Sequence, residues 1–287
     1  MIKLNLPLQN TDIKQIYNTC IISYRDESKT NKRAKYLDKI VSTTKDYLDK
    51  IPDDFENFQH IQLSKSDTEI LTDIYKNKFT KGPGKKYYDA IMACADGICP
   101  FCGIGTPTTL DHYLPKNKYP LLSITPANLI PSCRDCNTSK LMYAPTKNNE
   151  LIIHPYFDNI DFDWLNSHIF FYEDTTIQIK YYVDSTQIND NLISDRLQSH
   201  FKVNKLQEKY SSKFITEFHS KTKLFEKIIE LGGKQRLIES LLDEYNSTYC
   251  YDKNSWKAAA YRGLYNQSEE LFSWLNNNLS IKRQKTY

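Results

Sequence analysis

Glycine is scarce in this chain, at 8 residues in 287, and proline contributes only 11. That scarcity excludes collagen-like repeats and long Gly- or Pro-rich linkers, and it argues against extended disordered tracts. No stretch approaches the roughly 18 uncharged residues of a membrane-spanning helix, so no membrane partner is expected. Residues 1–10 contain no basic segment followed by a long apolar core, which removes a secretory signal and gives a cytoplasmic expectation. Internal repeats and low-complexity tracts are missing as well.

Aromatic residues are plentiful. Tyrosine appears 21 times and phenylalanine 13 times, within a chain that is 40% hydrophobic, so a sizeable interior can form without disulfides. The length exceeds the roughly 100–200 residues usual for one domain, leaving open one layered unit or two to three small ones. The net charge of +3 conceals an uneven distribution. Residues 1–80 carry 13 basic and 12 acidic groups, 81–150 carry 8 and 5, 151–195 carry 1 and 8, and 196–287 carry 16 and 10. The acidic stretch is expected to face solvent, to fold over a basic surface or to shield a site. The lysine-rich run at 76–86 suits a nucleic-acid clamp or an ordinary solvated loop.

Apolar spacing of three and four residues predicts helices over 10–50, where Pro52 ends the run. Ser66 and Glu69 resemble a capping box opening a helix to about residue 79, and 85–94 reads as a short helix. His154-Pro155 marks a turn. The alternating segments 168–172 and 176–183 predict a β-hairpin. Helices follow at 192–203, 206–231, 234–249 and 256–279, with a break at Gly232-Gly233. Trp256, Tyr261, Leu264, Phe272 and Trp274 read as core before partner surface. His154 and His168 read as structural histidines before ligands.

The cysteines carry the chemistry. Cys99 and Cys102 form one C-x-x-C pair and Cys133 and Cys136 another. Two residues between thiolates let both sulfurs turn toward one ion, and two such knuckles supply the four ligands of a closed structural Zn²⁺ site. Pro100, Gly103, Asp135 and Asn137 provide turn-forming neighbours. Two disulfides or four core thiols are the alternatives, and both are disfavoured without secretory features. Cys20, Cys94 and Cys250 are widely separated and expected to be reduced. The 30 residues between the pairs, 103–132, exceed the roughly 12–20 of a small finger, so a segment is inserted inside the metal loop.

That insert and its borders resemble the HNH (ββα-metal) endonucleases. The resemblance rests on Cys99-Pro-Phe-Cys102-Gly, on Leu-Asp111-His112-Tyr-Leu-Pro-Lys116, and on Asn128-Leu-Ile-Pro-Ser-Cys133-Arg-Asp-Cys136-Asn137-Thr-Ser-Lys140. It covers residues 98–145 and implies a ββα-metal core there; with the helices and hairpin read from apolar spacing, the expected fold class is α+β, mostly helical. A two-stranded ribbon would present Asp111 and His112, a loop would carry Asn128, and the following helix would bring Asn137 back to a metal. Asn137 stands where some members have His. Together with the charge and periodicity of the flanks, the expected organisation is an N-terminal helical region (1–80), the nuclease core with its zinc site (81–150), an acidic linker with the hairpin (151–189) and a C-terminal helical region (190–287).

Phosphodiester cleavage demands an activated water, charge neutralisation at phosphorus and stabilisation of the departing 3′ oxygen. His112 suits the base, because imidazole titrates near neutrality. Asp111 and Asn137 are oxygen donors, and such a site suits a catalytic Mg²⁺ or Mn²⁺ better than Zn²⁺. On a regular strand the two neighbours Asp111 and His112 would face opposite ways, so the backbone must twist or end there. By the resemblance, Asn128 holds the loop or the His112 ring and Lys140 lies near the phosphate. Asn128 capping the segment after Pro126, and Lys140 as a solvated helix charge, stay open. The resemblance further implies a nucleic-acid partner, DNA first, and a bacterial anti-phage or restriction role beside an ATPase or other defence protein, as in Septu-type assemblies. The competing reading is a zinc-stabilised module that binds nucleic acid or protein without catalysis.

Overall fold

The computed structural model describes residues 2–22, 24, 26–140, 143–174 and 176–284, with side chains up to residue 278. The chain forms two compact units, Met1–Ile160 and Asp161–Tyr287.

In the first unit, Asp12 caps α1 (Ile13–Ile21) by accepting from the Lys14 N–H at 2.9 Å. This helix buries Ile13, Ile16, Tyr17, Cys20 and Ile21 along one stripe. α2 (Glu27–Ala34) and α3 (Leu37–Lys50) follow. The backbone turns extended at Ile51, the residue before Pro52, where the pyrrolidine ring disfavours a helical neighbour. α4 (Lys65–Asp73) starts earlier than the expected box, because Ser64 rather than Ser66 accepts from the Asp67 N–H, at 3.1 Å. A π-helical turn, Ile74–Phe79, continues it, and α5 (Lys85–Ala93) leads toward the first cysteine pair.

Two short strands, β1 (Thr109–His112) and β2 (Leu129–Ser132), pair antiparallel with Asp111 opposite Ile130 and His112 opposite Leu129. α6 (Arg134–Lys140) follows β2 directly. Leu110, Leu121, Ile124 and Leu129 of this region share one core with Ile16, Tyr17 and Ile40 and with Leu71, Ile74, Phe79 and Ile91. The N-terminal helices and the cysteine-bearing segment therefore bury their apolar faces on each other, since a two-stranded ribbon cannot cover its own.

In the second unit, β3 (Leu165–Phe171) and β4 (Ile177–Val183) form the expected hairpin. Ile177, Ile179, Tyr181 and Val183 point inward, while Lys180 and Tyr182 point out. Both edges are closed by glutamine amides. Gln267 accepts from the Ile169 N–H and donates to its carbonyl, both at 2.8 Å. Gln207 accepts from the Tyr181 N–H at 2.7 Å and donates to the Ile179 carbonyl at 3.0 Å. Edge backbone groups that would otherwise stay unpaired are thereby satisfied.

α7 (Asn191–Val203), α8 (Leu206–Tyr251), α9 (Trp256–Asn266) and α10 (Ser268–Gln284) pack around the hairpin. The sequence predicts one helix over 256–279. The structure interrupts it at Gln267, whose backbone leaves the helical region (φ −108, ψ 27) as its side chain grips β3. Within α8, the expected Gly-Gly break is a reversal. Lys221 Nζ lies 2.8 Å from Glu244 Oε1, whereas 23 residues of straight helix would separate them by about 34 Å. Gly233 makes the turn with φ 65 and ψ −157, a region essentially reserved for glycine.

Gly233→Ala should therefore lower the stability of the chain by roughly 1–3 kcal/mol, read as an earlier unfolding midpoint in denaturant. An unchanged midpoint would mean that the turn tolerates a side chain and that the glycine is not what permits the reversal.

Candidate metal centre and adjoining polar site

The first knuckle begins where the Cys99 N–H donates to the Gly105 carbonyl at 2.7 Å and the Gly103 N–H donates to the Cys99 carbonyl at 2.8 Å. Gly103 takes a positive φ of 67. Two backbone N–H groups point at sulfur, from Gly105 to Cys102 at 3.4 Å and from Cys136 to Cys133 at 3.5 Å. All four Sγ atoms lie within 4.8 Å of one another and all four residues are buried. None of the seven cysteines is in a disulfide.

The donor set fits a structural metal ion. Tetrahedral Zn–S bonds place sulfurs about 3.8 Å apart, and Cys102 and Cys133 are 3.9 Å apart. A Cβ on Gly105 would lie 2.8 Å from Cys133 Sγ, so the loop closes on the sulfurs too tightly for any side chain there. The surrounding thiols of Cys133, Cys136 and Cys99 push the Cys102 thiol far below its ordinary value and leave Cys136 and Cys99 far above theirs. Four thiols packed this closely do not titrate alike, and a dication is what lets all four be thiolates together.

β1 ends at His112, so Asp111 and His112 are its last two residues. Both are buried, at 9% and 5% exposure. Asp111 Oδ2 lies 3.2 Å from Lys140 Nζ, yet at an angle that leaves this oxygen without a hydrogen bond. Lys140, only 4% exposed, also donates to the His112 carbonyl. It is thus an internal cation instead of a solvated helix charge. Burial raises the Asp111 carboxyl above the usual carboxylate range, with Lys140 opposing. Burial, helped by the positive charges of Lys116 and Lys140, pushes His112 down to about 3.

His112 Nε2 lies 2.9 Å from the Ser123 carbonyl oxygen. A carbonyl only accepts, so Nε2 carries the proton and Nδ1 keeps its lone pair. The Tyr75 ring packs edge-on against His112, with centroids 4.4 Å apart, while its hydroxyl donates to the Leu110 carbonyl at 3.1 Å. Asn128 is fully buried and clamps the connection between the strands. Its Oδ1 accepts from the Leu114 N–H at 2.7 Å, and its Nδ2 donates to the carbonyls of Leu114 and Leu122 at 3.1 and 3.3 Å. Asn137 is half-buried on α6, four residues after Cys133 and bonded to that residue's carbonyl through its backbone N–H at 3.0 Å.

Tyr75 and Ser123 escaped the sequence reading. Tyr75 sits in a π-helical turn far from the motif, and Ser123 contributes only its carbonyl, which no side-chain pattern reports. The lysine run is a loop only at 80–84, which carries Lys81, while Lys76 and Lys78 belong to the π turn and Lys85 and Lys86 open α5. Lys78 stands over the Tyr24 ring and Lys85 pairs with Asp89. His154 is structural. Its Nδ1 accepts from the Tyr156 N–H at 3.2 Å, so Nε2 donates to the Tyr47 hydroxyl at 3.0 Å. His168 lies on the exposed face of β3 against Phe170.

Over 232 residues the chain is 31% identical to protein Ea31 of Escherichia phage lambda, an alignment that covers 75% of each. It belongs to the Ea31 family. The sequence matches no protein-family model, and no solved structure matches it. No helix among the described residues is long and apolar enough to cross a membrane.

Purified protein should hold about one tightly bound metal per chain, zinc by the sulfur donor set, worth roughly 10–16 kcal/mol of apparent binding free energy. Cys133→Ser should lose it and melt the first unit. Gly105→Ala should weaken it, read by competition with a chromophoric chelator. Elemental analysis without metal, together with wild-type melting of Cys133→Ser, would end the idea of a metal staple. Asn128→Ala should cost roughly 1–3 kcal/mol by leaving buried backbone groups unpaired, measured by denaturant unfolding.

Proposed function

We propose that this member of the Ea31 family is a metal-dependent HNH endonuclease that hydrolyses nucleic-acid phosphodiester bonds, in DNA first. The observation that carries the reading is the tautomer of His112. With Nε2–H held by the Ser123 carbonyl, the ring has a fixed orientation and an Nδ1 lone pair that can accept a proton from water. Burial and the charges of Lys116 and Lys140 hold the imidazole pKa at about 3 rather than near neutrality, so the ring is neutral at physiological pH but a weaker base than its residue type implies. The run of β1, β2 and α6, with Asp111 and His112 closing the first strand and Asn137 and Lys140 on the helix, supports the ββα-metal reading.

Asp111 and Asn137 are the residues that would hold a catalytic Mg²⁺ or Mn²⁺. The fit rests on their oxygen donors and on Asp111 Oδ2, a buried carboxylate oxygen without a hydrogen bond. Such an ion supplies charge neutralisation at phosphorus and stabilises the departing 3′ oxygen. The chain's own share is orientation. Ser123 and Tyr75 fix the imidazole, Asn128 fixes the connection from which Ser123 reaches it, and Lys140 ties Asp111 to the end of β1.

One observation favours the rival reading, a binding module without catalysis: Asp111 already has a cation in Lys140. Against it stands the orientation of His112, which a purely structural ribbon does not need. By analogy with Septu-type assemblies, such a nuclease would work beside an ATPase or other defence protein in anti-phage defence or restriction. One relative belongs to a phage, so the family is carried by at least one phage.

His112→Gln keeps an N–H donor for the Ser123 carbonyl but has no basic nitrogen, so it should abolish plasmid cleavage in Mg²⁺ or Mn²⁺ while the protein stays folded. Asp111→Ala and Asn137→Ala should raise the metal concentration needed for cutting. Retained cutting by His112→Gln, in protein free of contaminating nuclease, would contradict the mechanism. No cutting by the unaltered chain, with nucleic acid still bound, would favour the binding module.

A further inference from the structure

Two ammonium groups act on both Asp111 and His112, those of Lys140 and Lys116. They are placed for different tasks. Lys140 is buried, with Nζ on the Asp111 carboxylate and the His112 carbonyl, so its charge is engaged within the protein and an external anion cannot reach it without breaking those contacts.

Lys116 is half-buried and makes no hydrogen bond and no ion pair among the described residues. Its Nζ stands 5.6 Å from the centroid of the Tyr75 ring, within the range of a cation–π contact. The position is fixed from both sides. The N–H groups of Lys118 and Tyr119 donate to the Pro115 carbonyl at 3.0 and 2.9 Å, closing a turn that starts at Pro115 and has Lys116 as its second residue. Tyr75 is anchored through its hydroxyl to Leu110 and packs edge-on against His112. One ring therefore carries the ammonium and orients the imidazole.

An ammonium on an aromatic face keeps its three N–H donors free of fixed acceptors. Leaving such a group half out of water without a counter-ion is unfavourable, and burial lowers its proton affinity, with Lys140 acting the same way and Asp111 opposing. A polyanion docking beside His112 would remove that penalty.

We propose that Lys116 is the residue that contacts a phosphate of the substrate, a nucleic-acid phosphodiester, next to His112, while Lys140 is a positioning residue that holds Asp111. This rests on the nuclease reading above, and the two can fail separately. The experiment measures duplex oligonucleotide binding by fluorescence anisotropy across a salt series, in the His112→Gln background, together with cleavage by chains that keep His112.

Lys116→Gln should flatten the log–log salt slope by about 0.9, the value of one duplex phosphate contact. It should also slow cleavage at least tenfold, whereas Lys116→Arg should keep most of both. Lys140→Met should leave the slope unchanged. If Lys116→Gln fails to fold, Lys116→Met keeps a long side chain on Tyr75 without charge and reads the same slope. Binding and cleavage by Lys116→Gln equal to those of an active wild type would overturn the proposal and leave the nuclease reading standing. A Lys116-dependent slope in a wild type that never cuts would support the phosphate contact and overturn the nuclease reading. Neither binding nor cutting by the wild type would overturn both.

Discussion

Four sulfurs within 4.8 Å of one another bring the segment before β1 to the start of α6, and a metal ion held by them would lock that approach, the constraint on which the rest of the first unit would lean. The two strands are four residues each, too short to persist alone. An ion joining Cys99 and Cys102 to Cys133 and Cys136 would turn everything between them into a closed loop, which would limit how the ribbon can slip. A one-residue slip would exchange the faces of Asp111 and His112. α6 leaves from the second cysteine pair, and its last residue, Lys140, reaches back to the ribbon. Lys140 then completes the circuit at the end of β1, on Asp111 and the His112 carbonyl.

Burial sets the electrostatics of that corner more than pairing does. Desolvation raises Asp111 although Lys140 is only 3.2 Å away, and desolvation is the first cause of the lowered His112. A buried ion pair of this kind is weak evidence for stability, because removing two charges from water offsets much of their attraction. Its effect is on geometry. The lysine connects a carboxylate, a carbonyl and a helix whose positions would otherwise be independent, and the neutral imidazole is held by a carbonyl on one side and a tyrosine edge on the other.

Much of this was legible in the sequence where the signal is local. The cysteine spacing pointed to the four-thiol cluster, strict alternation pointed to β3 and β4, and Gly232-Gly233 marked the reversal in α8. Other features depend on contacts that spacing does not encode. Ser64 and Ser66 are both plausible caps by type, and only the register of α4 selects Ser64. The break at Gln267 follows from an amide finding the edge of β3, which lies far away in sequence. Residues 1–80 read as a separate helical region because their apolar stripes resemble any bundle's, but those stripes share one core with Leu110, Leu121, Ile124 and Leu129 of the cysteine-bearing segment. Tyr75 and the Ser123 carbonyl stayed hidden for the same reason. The reaction itself is not written in these contacts. It enters through the resemblance and the placement of a few polar atoms.

Charge in the second unit illustrates how far totals mislead. Residues 196–287 carry an excess of lysine and arginine and 151–195 an excess of acid, the latter expected to face solvent, fold over a basic surface or shield a site. The structure brings the two together. Lys253 pairs with Asp161 at 2.9 Å and Arg262 with Asp163 at 3.4 Å, and the Tyr249 hydroxyl donates to Asp163 as well. Lys221, Lys234, Arg236 and Lys257 are matched by Glu244, Glu269, Glu239 and Glu217. Exposed pairs like these contribute little stability, but each lowers the local field that a polyanion would feel. A cation already facing a carboxylate is a poor phosphate ligand, so the count that matters for recognition is of unmatched ammonium groups. By that measure the six paired cations of the second unit are poor phosphate ligands, whereas Lys116, on the Tyr75 ring that orients His112, is in no ion pair among the described residues.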